Sequence, residues 1–283
     1  MSSDLAFTLV PILIDAIAVL GLYVLANTGR LSVGHASFFG IGAYVSAVCS
    51  TRLALHPLVS IAAGTVAAGL VGFVFAIVAD RLTHWFFAVT TLAFSVMVIG
   101  LVSNIDYFGA ATGLYGIPLW IGLPEVLIAL AATVALVIRV DASPFGRAMR
   151  AVRDSEFAAQ ALAIRPAQVR VLAFTLGTAI AAFAGGLYAH YLGLVKPGDL
   201  SLERSLLFLV YLSIGGIEFW GGALLGTFVL GLLPEVLRFT REYRLAMFGG
   251  LLTLVMLIRP AGLMARPADL MRAWQRRRRR SST

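Results

Sequence analysis

Residues 58–79 read LVSIAAGTVAAGLVGFVFAIVA, a stretch without one charged side chain. A helix that crosses a membrane needs about 20 mostly apolar residues, within a range of about 17–25. Backbone in hydrocarbon must satisfy its own polar groups, so this run reads as a helix and not as an isolated strand. It shows none of the alternation of a transmembrane β-barrel strand. Ser60, Gly64, Ala68, Gly72 and Ala76 recur every fourth residue and make one smooth stripe. Small-residue stripes let helix backbones approach closely in lipid, so a partner helix is expected along this face.

Similar runs lie on both sides of it. They are Leu5–Asn27, Val33–Thr51, Trp85–Val102, Ile121–Ile138, Val171–Val195, Phe219–Leu237 and Leu245–Ile258. A further run, Leu206–Ile217, is short for a full span and reads equally as a re-entrant half-helix. Gly177, Ala181, Gly185 and Ala189 repeat the small-residue stripe on the run that starts at Val171. Met1–Asp4 carries no positive charge, and Pro11 and Asp15 interrupt the apolar stretch behind it. It therefore reads as a permanent helix, not as a cleaved leader. The expected fold is an all-α polytopic membrane protein. A bundle of about 8–9 transmembrane helices forms one domain over residues 1–258, and residues 259–283 form a basic tail.

Composition agrees. The 283 residues are 60% hydrophobic and 13% charged, with a mean hydropathy of +0.92. A soluble domain carries about 25% charged residues, so an ordinary soluble enzyme is excluded. The net charge is +8, but it is unevenly placed. Arg259–Thr283 holds eight arginines against Asp269, while the rest of the chain is close to neutral. The basic balance is a tail, not a nucleic-acid-binding domain. Attraction of Arg276–Arg280 to anionic lipid, about 1 kcal/mol per residue near the surface, accounts for the arginine run.

Charge also orients the chain. Residues 139–170 carry six arginines against Asp141, Asp154 and Glu156. The segment Ser103–Gly122 has Asp106 and no basic residue, and Lys196–Arg204 is neutral overall. Positive loops stay in the cytoplasm, so residues 139–170 and the tail are expected inside and the other two segments outside. Nine crossings with the N-terminus outside satisfy this, with Arg52 as a small exception.

Asp15 lies near the middle of the first span, where a carboxylate costs about 2.5–3.5 kcal/mol. It must face the bundle or a wet cavity, as a structural contact or as part of a solute path. His35, at the start of the second span, reads as a packing residue or as a ligand contact. The chemistry of an enzyme is missing. There is no G-x-x-x-x-G-K-[ST], and the sole lysine is Lys196. No H-E-x-x-H or G-x-S-x-G occurs, and His35, His56, His84 and His190 are scattered. One cysteine, Cys49, excludes an internal disulfide and a multi-cysteine metal site.

The loop 139–170 reads as two short helices outside the membrane. Ser143 caps the first with Pro144 at its first position, and that helix covers Phe145–Arg153. Asp154 or Ser155 caps the second, which runs to about Ile164 before Pro166 stops it. Phe157, Ala158, Ala161 and Leu162 share one side, and Arg153, Glu156 and Gln160 another. A helix lying in the headgroup interface and an element that docks a cytoplasmic partner both fit this pattern.

Residues 146–164, GRAMRAVRDSEFAAQALAI, resemble the coupling segment of LivM-type permeases, the membrane subunits of branched-chain amino acid ABC importers. LSVGHASFFGIGAY at 31–44 is similar to that family's second-helix signature. Phe87-Ala88 with Thr91-Leu92-Ala93-Phe94, Thr112-Gly113-Leu114, Gly116-Ile117-Pro118, Ala173-Phe174 and the run Gly185–His190 follow in family order. Leu233-Pro234-Glu235, Glu242-Tyr243-Arg244 and Arg259–Leu263 complete the set. Ala163 departs from it, standing where the family usually has glycine. Tyr23, Asn27-Thr28, Val96 and Asp15 depart as well, along the membrane path.

The resemblance implies a permease in the bacterial inner membrane, paired with a second related permease chain. A periplasmic binding protein would deliver the solute, and two ATPase subunits would bind ATP and Mg, leaving no cofactor on this chain. It implies that Arg147, Arg150, Arg153, Glu156, Ala158, Ala159 and Ala163 lie in the ATPase-coupling segment. Gly34, His35, Ser37, Tyr44, Thr90, Thr91 and Ser95 are the polar or open positions of the matched segments, and are nominated for the translocation path. A urea or short-chain amide importer permease, and a self-contained secondary transporter, are the alternative readings.

Overall fold

The computed structural model describes residues 2–236. The expected span Leu245–Ile258 and the arginine tail lie outside the described residues. Within them the chain forms α1 (Ser2–Ala26), α2 (His35–Thr51), α3 (Pro57–Ala79), α4 (His84–Asn104) and α5 (Leu123–Ala142). There follow α6 (Pro144–Asp154), α7 (Glu156–Ala161), α8 (Pro166–Leu192), α9 (Leu202–Gly215) and α10 (Trp220–Val236). The fold is all-α apart from one two-residue pairing, β1 (Leu114–Tyr115) with β2 (Leu194–Val195), antiparallel with Leu114 opposite Val195. That pairing fastens the α4–α5 connection to the end of α8.

Local chemistry sets the helix ends. Proline occupies the first turn of α3, α5, α6 and α8, where its missing N–H is not needed. The Glu125 carboxylate accepts the Gly122 N–H at 2.8 Å at the start of α5. Gly193, at φ 71°, ends α8 in the left-handed conformation.

The centre of the bundle is α8, packed on α1, α2 and α3. Both predicted stripes lie in these contacts. Ser60, Gly64, Ala68, Gly72 and Ala76 are buried on α3, and Gly177, Ala181, Gly185 and Ala189 on α8. A Cβ on Gly185 would collide with the Phe39 carbonyl of α2, and one on Gly42 with the backbone of Ala182. Helix α1 is buried almost all round from Val10 to Ala26. The outer faces of α3, α4 and α5 expose Val66, Leu70, Val74, Val96, Met97 and Ile128. An apolar outer surface of this kind belongs in lipid or against another apolar subunit.

Five of the described helices are long and apolar enough to cross a membrane by themselves. Helix α2, at 17 residues, starts deeper than expected. The His35 Nε2 sits 3.1 Å from the Ala18 carbonyl, in the middle of α1, so the 27–34 connection folds back into the bundle. The runs Leu206–Ile217 and Phe219–Leu237 form α9 and α10, which are long and apolar enough to span only when taken together. Helices α9 and α10 are bent by 117° at the 216–219 break. Arg204 near the start of α9 bonds Asp15, and Gly231 near the end of α10 packs on Ile12, one turn away on α1. Both arms thus contact the same stretch of α1, in the geometry of a broken span or a re-entrant loop. Gly215, Gly222 and Gly226 allow its two arms to touch backbone to backbone.

Candidate functional site

The segment 139–170 folds as its caps dictate. The Ser143 hydroxyl accepts the Gly146 N–H at 3.2 Å and starts α6, and Ser155 accepts the Ala158 N–H at 3.3 Å and starts α7. Helix α7 ends at Ala161, earlier than expected, because the chain turns left-handed at Ala163 (φ 59°). The Ile164 N–H reaches the Ala159 carbonyl at 3.1 Å and the Ala163 N–H the Gln160 carbonyl at 2.9 Å, a Schellman arrangement. The position is one that favours glycine, so the departure of Ala163 from the family pattern carries a conformational cost.

The nominated coupling residues divide into two sets. Glu156, Ala158 and Ala163 face outward, beside Phe157 (86% exposed) and Leu162 (73% exposed), which lie outside the nominated set. Ala159 is buried beneath its own hairpin, with Met149 and Val152 of α6 also buried there. Ala159 therefore occupies the inner face of the hairpin, and at helical spacing its neighbour Ala158 takes the surface. The arginines are partly engaged within the chain. Arg150 pairs with the Asp141 carboxylate, Arg147 donates to the Ala142 carbonyl at 3.2 Å, and Arg153 pairs with Asp154 at 3.2 Å.

Glu156 is the half-exposed end of a chain of charges that continues inward. Its Oε2 lies 3.1 Å from Arg170 Nη1 in the first turn of α8. Arg170 Nε lies 2.6 Å from Oδ1 of Asp80, the C-cap of α3. The same Asp80 oxygen lies 3.4 Å from Arg30, which also donates to the Asp80 and Leu82 carbonyls at 2.9 and 3.1 Å. Burial lowers the proton affinity of Arg30 and neighbouring Arg170 lowers it further, while Asp80 and Glu156 oppose both. Nothing in the spacing of these four residues signals the association, because it joins segments far apart in sequence.

The nominated path residues gather around the start of α2. Gly34 packs directly on Thr91 and Ser95 of α4, and the Val33 N–H donates to Thr91 Oγ1 at 3.1 Å. The Ala36 N–H donates to Ser205 Oγ of α9 at 3.0 Å. Ser95 reaches the Leu200 carbonyl at 3.5 Å, and Thr90 is half-buried. Tyr44 stands one end higher, donating to the Val195 carbonyl at 3.3 Å. The Ser37 hydroxyl, the Ser32 hydroxyl and His35 Nδ1 are buried with no hydrogen-bond partner among the described residues.

Asp15 has a partner that sequence reasoning missed. Arg204 Nη2 lies 2.8 Å from Asp15 Oδ1, and its guanidinium stacks over the rings of Phe39 and Tyr188 at 4.3 and 4.4 Å. Tyr188 donates to Asp199 at 3.0 Å, and Asp199 lies 3.8 Å from Arg204. The available signal was the position of Arg204, a charge at the entry of an apolar run. Among the described residues there is no group of His, Cys, Asp and Glu able to hold a metal ion.

The bundle and its capped hairpin are built by a sequence that matches a family of transport proteins. The family described as branched-chain amino acid transport system / permease component aligns with residues 5–258. The chain belongs to this family of permeases. The permease is 31% identical over 294 residues to the high-affinity branched-chain amino acid transport system permease protein LivM of Salmonella typhimurium, covering 88% of this chain and 67% of the relative. With LivM of Escherichia coli it shares 29% identity over 286 residues, with the same coverage. With LivH of Escherichia coli it shares 30% identity over 171 residues, 59% of this chain and 53% of LivH. No solved structure matches the chain. The permease is thus a multi-pass membrane protein whose relatives are transport subunits, not enzymes.

Proposed function

We propose that this permease is one of two related membrane subunits of an ATP-binding-cassette importer in the bacterial inner membrane. It forms part of the path for branched-chain, aliphatic amino acids delivered by a periplasmic binding protein. Separate ATPase subunits bind ATP and Mg and dock on the α6–α7 hairpin. The observation that carries this reading is the similarity to LivM and LivH permeases joined to the surface of α7. The six-residue helix and its C-cap present Phe157 and Leu162 largely exposed, beside Ala158. An aromatic side chain on so short a polar element loses free energy in water and gains it in a protein groove.

The charge pattern supports an inside location for this hairpin, and reading α9–α10 as a re-entrant pair is consistent with it. Counting that pair as no crossing, and Leu245–Ile258 as the last, gives seven crossings in place of nine. Both numbers are odd, so the N-terminus stays outside and the arginine tail inside.

Purification from its co-expressed neighbours tests the docking. The wild-type chain is expected to carry an ATPase with it, and Phe157→Asp to lose that ATPase while the permease pair remains intact. Undiminished ATPase in the variant complex would refute the assignment of α7. Uptake of urea or a short amide, and not of leucine, isoleucine or valine, would keep the class and change the substrate.

A further inference from the structure

The four charges Glu156, Arg170, Asp80 and Arg30 come from four segments. They are the first turn of α7, the first turn of α8, the C-cap of α3 and the connection between α1 and α2. Two are basic and two acidic, so the set is neutral. Glu156 is 45% exposed, Arg170 and Asp80 are 11% and 12% exposed, and Arg30, at the inner end, is 6% exposed. One end is open to a partner and the other is inside the bundle. Buried charges are held by their partners, and losing one leaves the next uncompensated.

The inner end acts on a specific element. Arg30 closes the last turn of α3 through the carbonyls of Asp80 and Leu82 and stacks over Phe87 of α4 at 5.0 Å. It thereby fixes the 27–34 connection, whose next residues position Gly34 and His35. A direct contact runs in parallel. Gly29, at φ +80°, lies against the Arg153 side chain of α6, leaving little room even for a Cβ. The hairpin therefore touches the 27–34 connection at one point and is tied to it by charge at another.

We infer that Asp80 is a positioning residue. It is the shared counter-ion through which the α6–α7 hairpin sets the position of the 27–34 connection and the start of α2. The inference rests on the proposed function only for what moves the hairpin. The linkage itself belongs to the permease alone. An element whose two arrangements are biased from both ends is what coupling between sites requires, and spatial continuity by itself is not proof of it.

The test is a double-mutant cycle on the permease in detergent or lipid, with no ATPase present. Leu31, exposed on the connection, becomes the reporter as Leu31→Cys in a Cys49→Ser background, and its rate of thiol labelling is read. Glu156→Gln is expected to raise that rate by at least about threefold. In Asp80→Asn the rate is already raised, and adding Glu156→Gln changes it no further. Asp80→Glu restores the dependence. Equal responses to Glu156→Gln with and without Asp80, or no response at all, would overturn the inference. Should Asp80→Asn fail to fold, Arg170→Lys keeps the charge but cannot span both acids, and takes its place in the cycle. In the co-purified complex, the same Asp80→Asn is then expected to hydrolyse ATP while moving solute at least about tenfold more slowly. Absence of any ATPase from the wild-type complex would count against the proposed function and leave the labelling result standing.

Discussion

Arg204 reaches a carboxylate 189 positions earlier in the chain, placing its Nη2 2.8 Å from Asp15 Oδ1. The contact joins the first helix to the start of α9. It also resolves how a carboxylate is tolerated midway along α1: each charge neutralises the other, and Phe39 and Tyr188 cover the guanidinium.

Breaking that pair from one side leaves an uncompensated buried charge. Arg204→Leu is expected to destabilise the protein by about 3–5 kcal/mol. Asp15→Leu together with Arg204→Met is expected to recover most of that loss. Denaturation in detergent checks both, and additive losses in the double variant would contradict the pairing.

Ala163 occupies a left-handed position that costs an L-residue about 1–2 kcal/mol. Ala163→Gly is expected to stabilise the hairpin by about 1 kcal/mol. Slower backbone hydrogen exchange over residues 156–165 is the readout. Faster exchange would mean that the Schellman turn does not form in the membrane-bound protein.

Gly185 lets α8 meet the backbone of α2 at Phe39. Gly185→Ala is expected to push the two helices apart and cost about 1–3 kcal/mol. Gly100→Ala, where an added Cβ meets nothing, is the matched control and is expected to be neutral or better. Their thermal unfolding midpoints give the comparison.

Ala158 and Ala159 are neighbours with opposite surroundings. Ala159→Leu overpacks the hairpin and is expected to lower stability by about 1–3 kcal/mol. Ala158→Arg is expected to leave stability within about 0.5 kcal/mol and to weaken ATPase binding. Unfolding and co-purification, measured on the same preparations, separate the two effects.

What the sequence revealed was local. Ser143 and Ser155 announce their helices because a cap and its first turn, with Pro144 after Ser143, lie within four residues. The stripes on α3 and α8 announce packing because helical spacing places them on one face. The partners were not legible. No pattern joins Asp15 to Arg204, or Asp80 to Arg30 and Arg170, since each pair forms only after distant helices have packed. The α9–α10 turn-back was half visible, as a short apolar run ending at Gly215-Gly216. Its direction became clear only from the contacts of Arg204 and Gly231 with the same stretch of α1. The depth of His35 was hidden for the same reason, because composition does not record where a connection re-enters a bundle.

The most direct test of the account measures ATP hydrolysis by the complex purified around this permease, in lipid. The assay is run with and without the co-expressed binding protein loaded with leucine, isoleucine or valine. The account predicts hydrolysis that rises with the loaded binding protein and is accompanied by uptake of the same amino acid. A permease that moves solute with no ATPase attached, or a complex whose hydrolysis ignores every loaded binding protein, would contradict it.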